Sequence, residues 1–189
     1  MTPVTIEGPR LRPWRLPEDL GPLHAVNGDP EVMGFFPNVQ DRAESDAWGA
    51  RIAANFGERG YGFWVVETPT EGMVGVVGLQ PVFFEAAFSP PEAPATEIGW
   101  RIARRAQRQG LAEEAARLAL AYGFGPAGLD RIHAFTPPAN LPSWALMEKL
   151  GMKRVGSFEH PRLPVGSPLR HQLLYAATRR DWIDDRIGG

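Results

Sequence analysis

The sequence predicts an α/β fold built on a mixed sheet. Two observations carry this expectation. β-branched and aromatic runs alternate with amphipathic helical stretches along all 189 residues, and they follow the order strand, two helices, three strands, helix, strand, helix, two strands. Apolar residues make up 43% and charged residues 22%, so the chain can bury a real core and is expected to form a single domain over residues 1–189. With 21 glycines and 19 prolines, turns are frequent but the composition stays short of low complexity.

Residues 4–14 read as an extended opening strand, with Pro9 and Pro13 suited to a sheet edge. Pro17, Glu18 and Asp19 start a helix whose Leu20, Leu23 and Val26 keep helical spacing as far as Gly28. Asp41 caps a second helix, where Trp48, Ile52 and Phe56 recur every four residues before Gly57 and Gly60. Residues 61–67 and 73–84 form a hairpin around the turn-forming segment 68–72. Three prolines make 86–94 a loop, 96–102 is a short strand, and 110–124 is a helix with Leu111, Ala115, Leu118 and Tyr122 on one side. Its Glu113 and Glu114 suit the positive N-terminal end. A strand at 131–135, a helix at 141–150 with Pro142 in its first turn, and strands at 154–158 and 172–178 complete the chain.

Charge and composition exclude several classes. Twenty basic and 22 acidic side chains leave a net charge of −2, which disfavours nucleic acid as a partner. All the basic residues except Lys149 and Lys153 are arginines. The absence of cysteine removes disulfides, thiolate metal sites and cysteine nucleophiles, and makes the cytoplasm the expected location. Residues 1–14 carry proline and charge where a signal peptide needs an apolar core, and no run reaches membrane length. His24, His133, His160 and His171 lack ligand spacing, so no metal is expected. The six tryptophans sit mostly in apolar stretches, as core residues do.

Two segments carry chemistry. Residues 97–115 (EIGWRIARRAQRQGLAEEA) place an arginine- and glutamine-rich turn between a strand and a helix. Gly110 lets backbone N–H groups approach phosphate oxygens at a helix start, and Arg104, Arg105 and Arg108 supply cations. A solvated basic loop ahead of an amphipathic helix is the alternative reading. Residues 130–156 (DRIHAFTPPANLPSWALMEKLGMKRVG) then run strand, Asn140, helix, strand, with Asn140 able to cap the helix.

Taken together, these motifs resemble the acyl-CoA-binding core of the GNAT superfamily of N-acetyltransferases. Gln107, Arg108, Gln109, Gly110, Leu111 and Ala112 match its Q/R-x-x-G-x-G/A pyrophosphate loop, and Asn140-x-x-Ser143 with 148–152 (EKLGM) matches its second motif. With 11–14 (LRPW) and 29–33 (DPEVM), the chain looks like the branch containing ribosomal-protein N-terminal alanine acetyltransferases. The resemblance implies a mostly antiparallel seven-stranded sheet, helices on both faces and a splay between the fourth and fifth strands that receives acetyl-CoA. It assigns the pantetheine arm to Ile102 and Asn140, the pyrophosphate to residues 107–112, and thiolate protonation to Ser143. Arg108 stands where many members carry glycine. Glu97 is the first candidate base, ahead of Glu159 and His160 on the penultimate strand.

The acceptor is expected to be a primary amine, either a protein N-terminus or a small molecule, taken by a monomer or homodimer. Residues 32–37 (VMGFFP), including Phe35 and Phe36, and residues 83–94 are expected to shape its pocket, because loops carry specificity. A Ser143 that only satisfies backbone donors, and a catalytically silent acyl-CoA sensor, are the competing expectations.

Overall fold

A computed structural model describes residues 11–187. In chain order the elements are β1 (Leu11–Arg12), α1 (Leu20–Asn27), α2 (Arg42–Arg59), β2 (Phe63–Thr68), β3 (Gly72–Pro81), β4 (Thr96–Ile102), a 3₁₀ turn (Arg104–Ala106), α3 (Leu111–Phe124), β5 (Arg131–Thr136), α4 (Leu141–Lys149), β6 (Lys153–Glu159), β7 (His171–Thr178) and α5 (Arg179–Ile187). The seven strands form one sheet in the order β1-β2-β3-β4-β5-β7-β6. β1 with β2, β2 with β3, β5 with β7 and β6 with β7 are antiparallel, whereas β4 and β5 are parallel through a single pair, Glu97 opposite His133. The expected mixed, mostly antiparallel sheet of seven strands is what forms.

The described chain divides into two compact units. The first comprises the described part of Met1–Gln80 together with Gly99–Ala119, and the second comprises Pro81–Ile98 with the described part of Leu120–Gly189.

The first unit is centred on buried Leu23, Ile52, Phe63, Val65, Met73 and Val76, with Trp14 and Trp48 packed against them. Helical spacing puts Leu23 and Ile52 on facing sides of α1 and α2. At Gly49 the helices come so close that an added Cβ would lie 2.7 Å from a Leu23 methyl. α2 begins with a full capping box: Asp41 accepts from the Glu44 N–H while the Glu44 carboxylate accepts from the Asp41 N–H. It passes through exposed Gly57 and ends where Gly60 adopts the left-handed conformation, φ 76°. Gly75 on β3 is required by close approach, since a Cβ there would meet the Arg101 carbonyl of β4 at 2.2 Å.

The second unit pairs β5 with β7 along Arg131–Thr136, and β7 in turn carries β6. Ile132 and Ala134 of β5 are buried, α4 packs on β5, and α5 packs on β7 and brings Trp182 within 5.8 Å of Phe124. Phe84, Phe88, Phe135, Phe158 and His160 form one aromatic cluster, with neighbouring centroids between 4.4 and 6.3 Å apart.

Several boundaries differ from the sequence expectation, each for a local reason. Residues 4–10 of the expected opening strand lie outside the described residues. α1 starts at Leu20 rather than Pro17, and Asp19 does not cap it, because its carboxylate is committed to the Arg12 guanidinium and the Arg15 N–H. β3 stops at Pro81 and releases Phe84 into the aromatic cluster. α5 was not expected from the sequence, since its run RRDWIDDRI carries too few apolar residues to show helical spacing.

Candidate active site

The first unit holds the anion-binding candidate. Arg104–Ala106 turn as a 3₁₀ helix, and the chain then enters α3 through Gly110, which is left-handed at φ 77° and has open space where a Cβ would stand. The α3 entry therefore presents backbone N–H groups that have no partner within the helix, beside a surface free of side chain. The two glutamines build the loop: Gln107 Nε2 donates to the Ile102 carbonyl at 2.9 Å and Gln109 Nε2 to the Arg105 carbonyl at 3.0 Å. Of the three arginines, Arg104 pairs with Glu31 and Arg105 with Glu71 at 3.3 Å. Arg108 has no ion pair among the described residues and is exposed. It sits at φ 60°, the region where glycine costs nothing and an L residue does. Leu111, the first residue of α3, is buried, and Ala112 is half-buried in the same turn.

The second unit holds the candidate chemistry. Asn140 does not take the capping role open to it: its side chain makes no cap hydrogen bond to α4. Its Nδ2 donates instead to the hydroxyl of Thr136, the last residue of β5, at 2.9 Å, while its backbone carbonyl accepts from the Ser143 and Trp144 N–H groups. This leaves the Asn140 Oδ1 lone pairs open for a donor such as an amide N–H. Ser143 stands in the first turn of α4, half-buried, and its hydroxyl has no hydrogen-bond partner among the described residues. The hydroxyl is therefore not spent on capping.

Glu97 is half-buried on β4 opposite His133. Sequence reading passed over His133 as one scattered histidine. It is buried, one of its ring nitrogens bonds the Thr96 backbone, and its Nδ1 is buried with no partner. Burial, reinforced by the Arg131 charge, lowers its pKa and outweighs the Thr96 contact. No motif flags it, because a single polar residue in the run RIHAFT carries no spacing signal.

Glu159 and His160, the other candidate bases, each have partners as well. Glu159 accepts an ion pair from Arg170 at 3.3 Å and meets His171 Nδ1 at 2.9 Å. His160 Nδ1 accepts from the Arg162 N–H at 3.2 Å, and the ring packs 4.4 Å from Phe84, where burial and then Arg162 lower its pKa. Of the expected acceptor loops, Phe36 lies 4.2 Å from the Arg101 guanidinium, Phe35 is exposed, and Phe84 and Phe88 join the aromatic cluster. Among the described residues no group of three or more histidine, cysteine or acidic side chains could hold a metal, and no helix is long and apolar enough to cross a membrane.

A seven-stranded mixed sheet with a glycine-bearing basic loop ahead of α3 is the arrangement of an acetyltransferase. The Acetyltransferase (GNAT) domain family model matches residues 10–153, and the chain belongs to this family. It is 30% identical over 165 residues to the uncharacterized N-acetyltransferase YnaD of Bacillus subtilis, covering 87% of this chain and 91% of that protein. It is also 30% identical to the FsC-acetyl coenzyme A-N(2)-transacetylase of Aspergillus fumigatus, over 82% of this chain and 67% of the other. Among solved structures, a GNAT-family acetyltransferase from Bacillus anthracis superposes with a TM-score of 0.71 at 28% identity, covering 90% of this chain and 94% of its own. The ribosomal-protein-S5-alanine acetyltransferase of Vibrio fischeri shares the fold at a TM-score of 0.71 and 17% identity, with 91% and 93% covered.

Proposed function

We propose that this chain is a single-domain N-acetyltransferase that uses acetyl-CoA as donor and transfers the acetyl group directly to a primary amine. The observation that carries the donor is the α3 entry: left-handed Gly110 with open space above it, and Arg108 as the cation not engaged with a carboxylate. A diphosphate there meets N–H donors, the positive helix end and one guanidinium. The name of the Aspergillus relative supports acetyl coenzyme A as the donor. The resemblance assigns pantetheine to Ile102 and Asn140, and the open Asn140 Oδ1 supports the latter.

In the reaction the amine nitrogen bonds the acetyl carbon as the carbon–sulfur bond breaks, the amine loses one proton and the CoA sulfur gains one. Ser143 is the proposed donor to sulfur, because its hydroxyl is unspent. Glu97 is the proposed acceptor from the amine, directly or through water. With no cysteine in the chain, transfer passes through a ternary complex rather than a thioester on the enzyme. The proposed acceptor class spans protein N-termini and small amines, the proposed assembly is a monomer or homodimer, and the proposed setting is the cytoplasm.

Two measurements test this reading. Calorimetric titration should give heat, and a melting shift, with CoA and acetyl-CoA. CoA release should then depend on an added amine from a panel of amino acids, polyamines and N-terminal peptides. Acetyl-CoA binding without any amine-dependent release would favour the sensor, and no binding at all would overturn both.

A further inference from the structure

Arg101 lies on β4 in the first unit, immediately before Ile102, and its surroundings differ from those of every other half-buried arginine described there. Arg12, the other arginine of that unit drawn out of water, is answered by two carboxylates, Asp19 at 2.7 Å and Glu67 at 2.9 Å. Arg101 is answered by none among the described residues. Its Nη1 donates to the neutral Oδ1 of Asn27 at 2.9 Å, and its guanidinium carbon lies 4.2 Å from the Phe36 ring and 4.1 Å from the Trp48 ring. Asn27 is itself fully buried and held by its Nδ2 on the Ser45 hydroxyl at 3.0 Å, so the acceptor atom is fixed in place.

Ring faces and an amide oxygen offset part of the cost of removing a guanidinium from water, but they supply no countercharge. Burial, with added repulsion from Arg51 on α2, lowers the Arg101 pKa to about 10, so the group stays charged at pH 7. Five N–H donors in a planar fork, one of them used, leave an edge that fits a planar carboxylate. Phe36 belongs to the loop between α1 and α2, the kind of segment that reads an acceptor. The diphosphate of a donor has Arg108 and the α3 entry, so it does not require this cation.

We propose that Arg101 receives a carboxylate on the acceptor, so that the amines this chain acetylates carry an acid group. This rests on the transferase reading above. The test uses matched probes: free amino acids and their carboxamides, in which the amine and side chain are retained and only the carboxylate is removed. In wild type, acids should raise the melting temperature and their amides should not. In Arg101→Gln, kcat/KM should fall at least about tenfold for an acid and less than about twofold for its amide, with acetyl-CoA affinity unchanged. Comparing acid-to-amide ratios between the two proteins cancels the different basicities of the amines. Equal losses for acid and amide, a fall in acetyl-CoA affinity, or no acid-selective melting shift in wild type would each overturn the inference. The wild-type shift decides the matter if Arg101→Gln fails to fold. Acid-selective stabilisation with no CoA release for any amine would instead sink the transferase reading and leave the carboxylate site standing. Turnover of amides with no selectivity for acids would do the reverse.

Discussion

Ser143 separates two roles that a serine near a helix start can play. A capping hydroxyl accepts from a backbone N–H, and its loss costs about 1 kcal/mol of stability. The Ser143 hydroxyl accepts from no such group among the described residues, so Ser143→Ala should leave the melting curve within about 0.5 kcal/mol of wild type. If the hydroxyl serves the departing sulfur, the single-turnover rate should fall about 100-fold with acetyl-CoA affinity intact, because the contact strengthens mainly in the transition state. A full rate in the variant removes Ser143 from catalysis, and a lower melting temperature restores the capping role. The residue types of the second motif were legible through the resemblance of Asn140-x-x-Ser143 and 148–152 to the family pattern. How Asn140 behaves was not: its choice of the Thr136 hydroxyl over the α4 backbone depends on where β5 ends, which local sequence does not encode. Arg101 was illegible for a stronger reason. Its partner Asn27 lies 74 residues earlier, and an arginine on a strand reads as a surface residue until that partner is known.

At the scale of the element, the α3 entry concentrates the functional demand on backbone. The glutamines of the loop spend their side chains on the Ile102 and Arg105 carbonyls, so they shape the turn and leave the N–H groups for the proposed diphosphate. Gly110→Asp would place a carboxylate over those groups and force an L residue to φ 77°. CoA affinity should fall at least tenfold, about 1.4 kcal/mol, with a separate strain cost of about 1–2 kcal/mol visible in the melting curve of the free protein. Strain without weakened CoA binding would move the diphosphate elsewhere. The amphipathic helices α2 and α3 were readable because their apolar residues recur with helical period and their ends carry Asp41, Gly60 and Gly110. The polar helix α5 offered no such stripe.

Across the molecule, acid should act through buried ion pairs. Burial raises the cost of a charged Asp19, yet the Arg12 fork and the Arg15 N–H outweigh it and hold its pKa below the ordinary carboxylate value. A depressed carboxylate contributes stability that is fully present above its unfolded pKa, about 3.9, and is lost as pH falls through the folded value. Asp19→Asn should therefore cost about 2 kcal/mol at pH 7, and the gap to wild type should close as the pH drops below about 4. Melting temperatures of both proteins from pH 3 to 7 give the answer. A constant gap would mean that the ionised carboxylate contributes nothing of its own.

Neither compact unit is a continuous stretch of chain: the path crosses between them after Gln80, Ile98 and Ala119. During synthesis the first unit cannot close until Ala119 has emerged, although its core residues Leu23 and Ile52 have long been made, and the second must wait for the β7 strand that joins β5 to β6. At about 5–20 residues per second, the early helices spend several seconds without the segment that carries Arg101 and the α3 entry. A ribosome stalled anywhere between Gln80 and Ala119 would thus hold a nascent chain in which Leu23 and Ile52 are made while buried residues of the same unit, such as Leu111 and Ala115, are not all in place. That interval is when such a chain would depend on holding factors.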